Sequence, residues 1–167
     1  MHILADIQKY ELLGEFDKHV DPVDYSLVLP VTKDFPYVKR GFDKIKTFLQ
    51  YQFIVKPFRR KALRDEIKPE VYGIENVKGV KSAVITCNHF NAFDSFAIQL
   101  AYEAAEQPDR TFYRVIREGN YTSFPGFYGF LMRNCNTLPL SSNRETLKKF
   151  SCAVETCLDE GHFVLVY

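Results

Sequence analysis

The chain of 167 residues has no tryptophan, two methionines and four cysteines. Cys87, Cys135, Cys152 and Cys157 form no C-x-x-C pair and stand at no zinc-ligand spacing from a histidine. Neither a structural metal site nor a disulfide framework is therefore expected, and the thiols read as those of a reduced, cytosolic protein. Long apolar runs are missing too. None approaches the roughly 18 residues of a membrane-spanning helix, and the N-terminus lacks the basic, apolar, small-residue order of a signal peptide. Net charge is +1, so the whole-chain balance does not point to nucleic acid or a polyanionic substrate. No nucleic-acid partner and no bound cofactor are expected.

What is abundant is apolar and aromatic material, 46% and 15% of residues, enough for one sizeable core. Charge is unevenly spread: residues 1–38 carry 3 basic and 7 acidic side chains, residues 39–68 carry 10 and 3, and the remainder 9 and 11. The chain divides accordingly into an N-terminal extension (1–38), a basic amphipathic helical segment (39–69) and an α/β domain (70–167). Pro22 and Pro30 punctuate the first part, where short helical pieces and loops are expected. In the second, Phe42, Ile45, Phe48, Leu49 and Phe53 recur at helical spacing among Lys39, Arg40, Lys44 and Lys46, and Pro57 is expected to interrupt the helix. Two readings of that aromatic face stay open. Either it enters the headgroup boundary of a bilayer while the lysines meet anionic lipid, or it packs on the domain core.

From residue 70 the pattern becomes strand and helix in alternation. "SAVITC" (82–87) reads as a fully buried parallel strand. Asp94 or Ser95 then caps a helix with Ile98, Ala101, Tyr102 and Ala105 on its apolar face and Pro108 beyond its end. "TFYRVI" (111–116) reads as a second strand, and "NTLPL" (136–140) as a third at an edge, because of Pro139. Ser142 and Glu145 have capping-box spacing at the start of a helix with Leu147, Phe150, Val154, Cys157 and Leu158 on one face, ending before Gly161. "HFVLVY" (162–167) is a last strand. The fold class is α/β, a largely parallel sheet flanked by helices and preceded by N-terminal amphipathic helical segments. A chain that stops on an apolar strand, without a return helix or polar tail, is expected to be part of a longer protein.

The chemistry centres on "NHFNAFD" (88–94), which places His89 and Asp94 five positions apart. That spacing alone is a weak signal among ten aspartates, and His19 and Asp24 satisfy it in "HVDPVD", with Pro22 between them and no preceding strand. His89 differs by its place directly beyond a strand, at the carboxyl end of the sheet, where α/β folds put their sites. A tight turn would fold Asp94 back to one ring nitrogen and leave the other as a general base for an alcohol attacking an acyl carbonyl. The plainer reading is a loop histidine and a helix-capping aspartate. Another takes Cys87 as nucleophile and His89 as its base, giving a thioesterase or hydrolase.

Asn88, His89 and Asp94 match an N-H-x-x-x-x-D block, and through it the chain resembles the glycerolipid acyltransferase family that includes 1-acylglycerol-3-phosphate acyltransferases. "VYGIENVKGVKSAVITCNH" is similar to the family's approach to that block, with Gly-Ile-Glu-Asn at 73–76. "RVIREGNYTSFPGFYGFLMRNCNTLPL" looks like its next region, in which a basic residue, here Arg117, precedes a Pro/Gly-containing helix. "LKKFSCAVETCLDEGHFVLVY" looks like the approach to the family's Pro-Glu-Gly block, expected after Tyr167. The resemblance implies acyl transfer from acyl-CoA or acyl carrier protein to the hydroxyl of a lysophospholipid or glycerol phosphate. His89 would be the base and Asp94 would fix its tautomer. It also implies a peripheral protein on the inner, cytoplasmic face of a membrane, and a 167-residue chain that is inactive by itself.

One departure concerns substrate contact. The family carries a phosphate-meeting arginine after the short strand, whereas this chain has Ser141 and Ser142. Arg133 or Arg144 is then the expected substitute, beside Asn88 and Arg117. The missing arginine also keeps open a membrane-associated adaptor with the same fold but no turnover. Tyr121, Phe124, Phe127, Tyr128 and Phe130 either line an acyl groove or pack in the core.

Overall fold

The computed structural model describes residues 3–18, 20, 29–89, 91, 93–105 and 110–167. Among the described residues, the apolar runs of the third part form four strands, β1 (Ala83–Thr86), β2 (Phe112–Ile116), β3 (Thr137–Pro139) and β4 (Phe163–Val166), in the spatial order β1-β4-β2-β3. Every pairing is parallel, with Thr86 opposite Val166, Phe112 opposite Phe163 and Val115 opposite Leu138. Parallel neighbours require crossovers. These are α4 (Asp94–Ala104), α5 (Glu118–Thr122) with α6 (Gly126–Asn134), and α7 (Arg144–Asp159). The expected α/β fold with a parallel sheet is borne out.

Strand positions differ from expectation at one point. The last run, β4, is the buried strand, with Val164 and Leu165 both 0% exposed. "SAVITC", expected to be covered on both faces, is an edge strand in which Val84 is 52% exposed. β-branched residues suit a half-buried pleated surface as well as a buried one, so composition did not separate the two. β3 is the opposite edge, where Pro139 is tolerated as expected.

Helix α7 forms over the expected stretch but is capped one residue later than the capping-box spacing implies. Asn143 Oδ1 accepts the N–H groups of Glu145 (3.0 Å) and Thr146 (3.1 Å). Ser142 instead turns to Glu118, its hydroxyl donating at 2.9 Å. Phe150, Val154, Cys157 and Leu158 pack over Val115, Leu138 and Val164 as expected, whereas Leu147 is exposed. Helix α4 likewise forms with its start altered. Phe93 is the N-cap and makes no side-chain cap bond, and Asp94 is the first helical residue, its carboxylate engaged elsewhere. Ile98 and Tyr102 of α4 face Phe112, Phe163 and Leu165 of the sheet, while Phe96, Ala97 and Leu100 face the helical segment before it. Pro108 lies outside the described residues, as do His19, Pro22 and Asp24.

Among the N-terminal parts, α1 (Ile3–Leu13) buries none of its residues. The basic segment is one continuous helical run made of α2 (Gly41–Gln50), a π turn (Tyr51–Val55), α3 (Lys56–Ala62) and a second π turn (Leu63–Ile67). Pro57 does not interrupt it, contrary to expectation. The first π turn, in which the Lys56 N–H reaches back to the Tyr51 carbonyl, puts the missing proline N–H where the hydrogen-bond pattern changes over. The run docks by its second half, through Val55, Arg59, Ala62 and Leu63. The aromatic face of its first half does not pack on the core: Phe42 is 78% exposed and Phe53 75%, with Ile45, Phe48 and Leu49 also exposed.

A buried polar network joins this run to α4 and the sheet. Arg59, 2% exposed, meets Glu103 through two bonds of 2.8 Å. Gln99 donates to Tyr51 Oη (2.7 Å) and Glu103 Oε1 (2.9 Å) and accepts from Arg114 Nη2. Arg114 rises from the middle of β2, donates through Nε to Ser95 Oγ (3.1 Å) and through Nη1 to the Cys135 carbonyl (2.8 Å), and lies over the Phe96 and Phe112 rings. Glu103→Ala leaves the buried Arg59 guanidinium without its carboxylate, and because Glu103 is itself 40% exposed the change is expected to cost about 1–3 kcal/mol of stability. Urea unfolding of the variant against the parent chain measures that loss.

Candidate active site

The carboxyl ends of all four strands open on one side of the sheet, and the sequence motif lies there. Beyond β1, Cys87 and Asn88 lead to His89, and the chain turns back into α4 within five residues. Local bonds shape that turn: Asn91 Oδ1 accepts the Phe93 N–H (2.8 Å), and Asp94 Oδ2 accepts the Asn91 N–H (3.2 Å). Asp94 thereby sits at the positive end of α4, with 8% of its surface exposed. Its carboxylate lies against His89 Nδ1, at 2.9 Å from Oδ2 and 3.1 Å from Oδ1. An ionised carboxylate only accepts, so Nδ1 carries a proton, and in the neutral ring it is Nε2 that keeps a lone pair. The His89 side chain is 51% exposed, so the ring is not sealed in the core.

Tyr167 completes this corner and was not singled out from the sequence. Its hydroxyl donates to Asp94 Oδ1 at 2.7 Å, and its ring stacks on the imidazole with centroids 4.1 Å apart and planes 22° from parallel. Burial, the bond to Asp94 and that carboxylate's charge push the phenol well above its ordinary pKa, so it stays a donor. Ser95 lies beside the phenol and, through Arg114, ties the corner to the polar network. Arg114 was missed as well, although a charge inside the apolar run "TFYRVI" was the available signal.

The remaining sequence-proposed residues lie around this edge. Asn88 is exposed beside His89. Arg117 occupies the extended N-cap position of α5, just beyond β2. Arg133 donates to the Tyr121 (3.2 Å) and Phe124 (3.3 Å) carbonyls and so closes the turn from α5 to α6. That turn is tight enough that a Cβ on Gly129 would stand 1.8 Å from the Phe124 carbonyl oxygen. Arg144 opens α7 on the exposed surface. Ser141 and Ser142 are engaged by Glu118, which accepts the Ser142 N–H (3.2 Å), both hydroxyls (3.2 and 2.9 Å) and the Val31 N–H. Burial pushes this carboxyl's pKa up, but the bonds from Val31, Ser142 and Ser141 outweigh it and hold the group below its ordinary value.

Aromatic side chains extend away from the dyad. Phe93, next to Asp94, meets Phe58 (5.7 Å between centroids), which meets Phe127 (5.1 Å), which stacks near Phe130 (6.2 Å). Phe130 is partly buried, whereas Phe124, Phe127 and Tyr128 are exposed. Among the described residues no group of three or more His, Cys, Asp or Glu side chains could hold a metal ion, and no helix is long and apolar enough to cross a membrane.

Cys87 is a poor nucleophile in this setting. Burial and the Asp94 charge push its thiol above the ordinary value, and a thiol rather than a thiolate faces the histidine loop. Cys135 and Cys157 are buried and also shifted upward, Cys157 to about 11, whereas Cys152 is exposed. Iodoacetamide at neutral pH is expected to label Cys152 first and to leave Cys87 unmodified over the same interval, read by peptide mass spectrometry.

Residues 68–167 match the family model described as Acyltransferase. No curated protein and no solved structure matches the chain.

Proposed function

The chain belongs to the acyltransferase family, and from that premise we propose that it transfers an acyl group from acyl-CoA or acyl carrier protein to the hydroxyl of a glycerolipid, either a lysophospholipid or glycerol phosphate. The carrying observation is the His89–Asp94 pair, with Nδ1 engaged by the carboxylate and the ring half exposed at the carboxyl edge of the sheet. His89 Nε2 takes the proton of the acceptor hydroxyl as its oxygen attacks the thioester carbon. Asp94 holds the tautomer and stabilises the imidazolium, which returns its proton to the departing thiolate. No covalent acyl-enzyme is needed. The exposed aromatics Phe124, Phe127 and Tyr128 support an acyl chain running along α6.

Asn88 and Arg117, at the same edge as the dyad, are the proposed headgroup contacts, with Arg144 or Arg133 in place of the arginine that Ser141 and Ser142 replace. The engagement of those serines by Glu118 favours one second reading, a non-catalytic adaptor, because it sets a carboxylate near the place the family gives to a cation. Turnover on lysophosphatidate separates the two. In the protein, His89→Ala is expected to lose about 10²–10⁴-fold in rate, the usual contribution of a positioned general base. A variant as active as the parent would sink the mechanism.

The protein is proposed to work at the inner, cytoplasmic surface of a membrane. Exposed Phe42, Ile45, Leu49 and Phe53 on one face of α2 and its π turn, flanked by Lys44, Lys46 and Lys56, support docking into the headgroup region of anionic lipid. Replacing Phe42, Leu49 and Phe53 by serine is expected to abolish sedimentation with vesicles containing phosphatidylserine while leaving the melting temperature unchanged. Raised salt should weaken the parent's binding.

A further inference from the structure

The carboxylate of Asp94 is shared. Oδ2 takes the His89 Nδ1 proton (2.9 Å) and the Asn91 N–H (3.2 Å), while Oδ1 takes the Tyr167 hydroxyl (2.7 Å). These groups converge from three elements because the register of β1 and β4 pairs Thr86 with Val166, so the residues following each strand emerge side by side. We propose that Tyr167 is a positioning residue of the dyad, whose hydroxyl fixes the Asp94 carboxylate and whose ring holds the imidazole in the plane that presents Nε2. Its chemical meaning rests on the general-base reading above, although the geometry stands without it.

Three features favour this role over simple packing. The phenol proton is committed to a carboxylate that accepts only, so Tyr167 is neither a base nor an oxyanion donor while that bond lasts. Stacking closes one face of the imidazole, while the His89 side chain as a whole stays 51% exposed. The Cys87 thiol and the Ser95 hydroxyl beside the phenol are uncharged, and the Arg114 guanidinium, which also feels the phenol, is held on the Ser95 side, so Asp94 is the charge that the Tyr167 proton meets directly.

Ring and hydroxyl act on the imidazolium in opposite directions. The hydrogen bond draws charge from the carboxylate and weakens its pull on the cation, whereas the stacked π face stabilises a cation. Tyr167→Phe removes the first influence and keeps the second. Tyr167→Leu removes both and also releases the ring plane.

The test is an NMR titration of the His89 imidazole, assigned by difference with His89→Gln and paired with the pH–rate profile of acyl transfer by the same protein. In Tyr167→Phe the titration midpoint is expected to rise by about half a pH unit, the acid limb of the rate profile moving with it. In Tyr167→Leu the midpoint falls back below that of Tyr167→Phe, and the fraction protonated at Nε2 rather than Nδ1 increases. Midpoints and tautomer fractions within about 0.1 pH unit and experimental error of the parent in both variants would overturn the proposal. The two readings fail separately. Shifted titrations without acyl transfer keep the positioning role and remove the enzyme, whereas His89-dependent transfer with unmoved titrations does the reverse.

Discussion

A guanidinium in the middle of the sheet constrains the rest of the molecule. Arg114 is 4% exposed, and it donates to a serine, a glutamine and two carbonyls rather than to a carboxylate. Removing such a charge from water costs several kcal/mol unless every donor finds an acceptor. Here the acceptors come from different places: Ser95 and Gln99 on successive turns of α4, Phe112 on β2 itself, and Cys135 at the end of α6. Sliding α4 along the sheet would strand several donors at once. Asp94 immediately precedes Ser95, so the bonds that satisfy Arg114 also fix the carboxylate that orients His89. A core charge of this kind contributes uniqueness of arrangement more than net stability.

Much of the fold was legible because its signals are local. The alternation of strand and helix after residue 70, the length of α7 and the edge position of β3 follow from periodicity, capping residues and one proline. What was not legible is how the elements order themselves in space. "SAVITC" and "HFVLVY" are equally apolar, yet one became an edge and the other the centre, since strand order is set by crossovers that composition does not encode. Pro57 misled for a related reason: a π turn just before it, held by packing of Val55 against α4 and α6, changes what a proline does to a helix.

The same division runs through the site. His89 and Asp94 are five residues apart, and one turn suffices to join them, so spacing together with the preceding strand was enough to propose the pair. Tyr167 is 73 residues from Asp94, and the parallel register of β1 and β4 is what brings it there. Glu118 reaches Ser141 and Ser142 only because β2 and β3 are neighbours, and this replaces an absence in the motif with a carboxylate that no spacing rule anticipates. Arg114 was visible as an anomaly in an apolar run, but its partners lie on three elements.

The run from Gly41 to Ile67 passes through Pro57 without a break. At about 1.5 Å per residue it is a strut of roughly 40 Å, clamped at one end by Arg59 and Leu63 and bare at the other. A flexible tether would let the dyad wander relative to whatever the bare aromatics rest upon. If those aromatics rest on a surface as proposed, a strut would act as a ruler, setting the height and tilt of His89 above it, and a hinge introduced between residues 50 and 56 would change that height without touching a reacting atom.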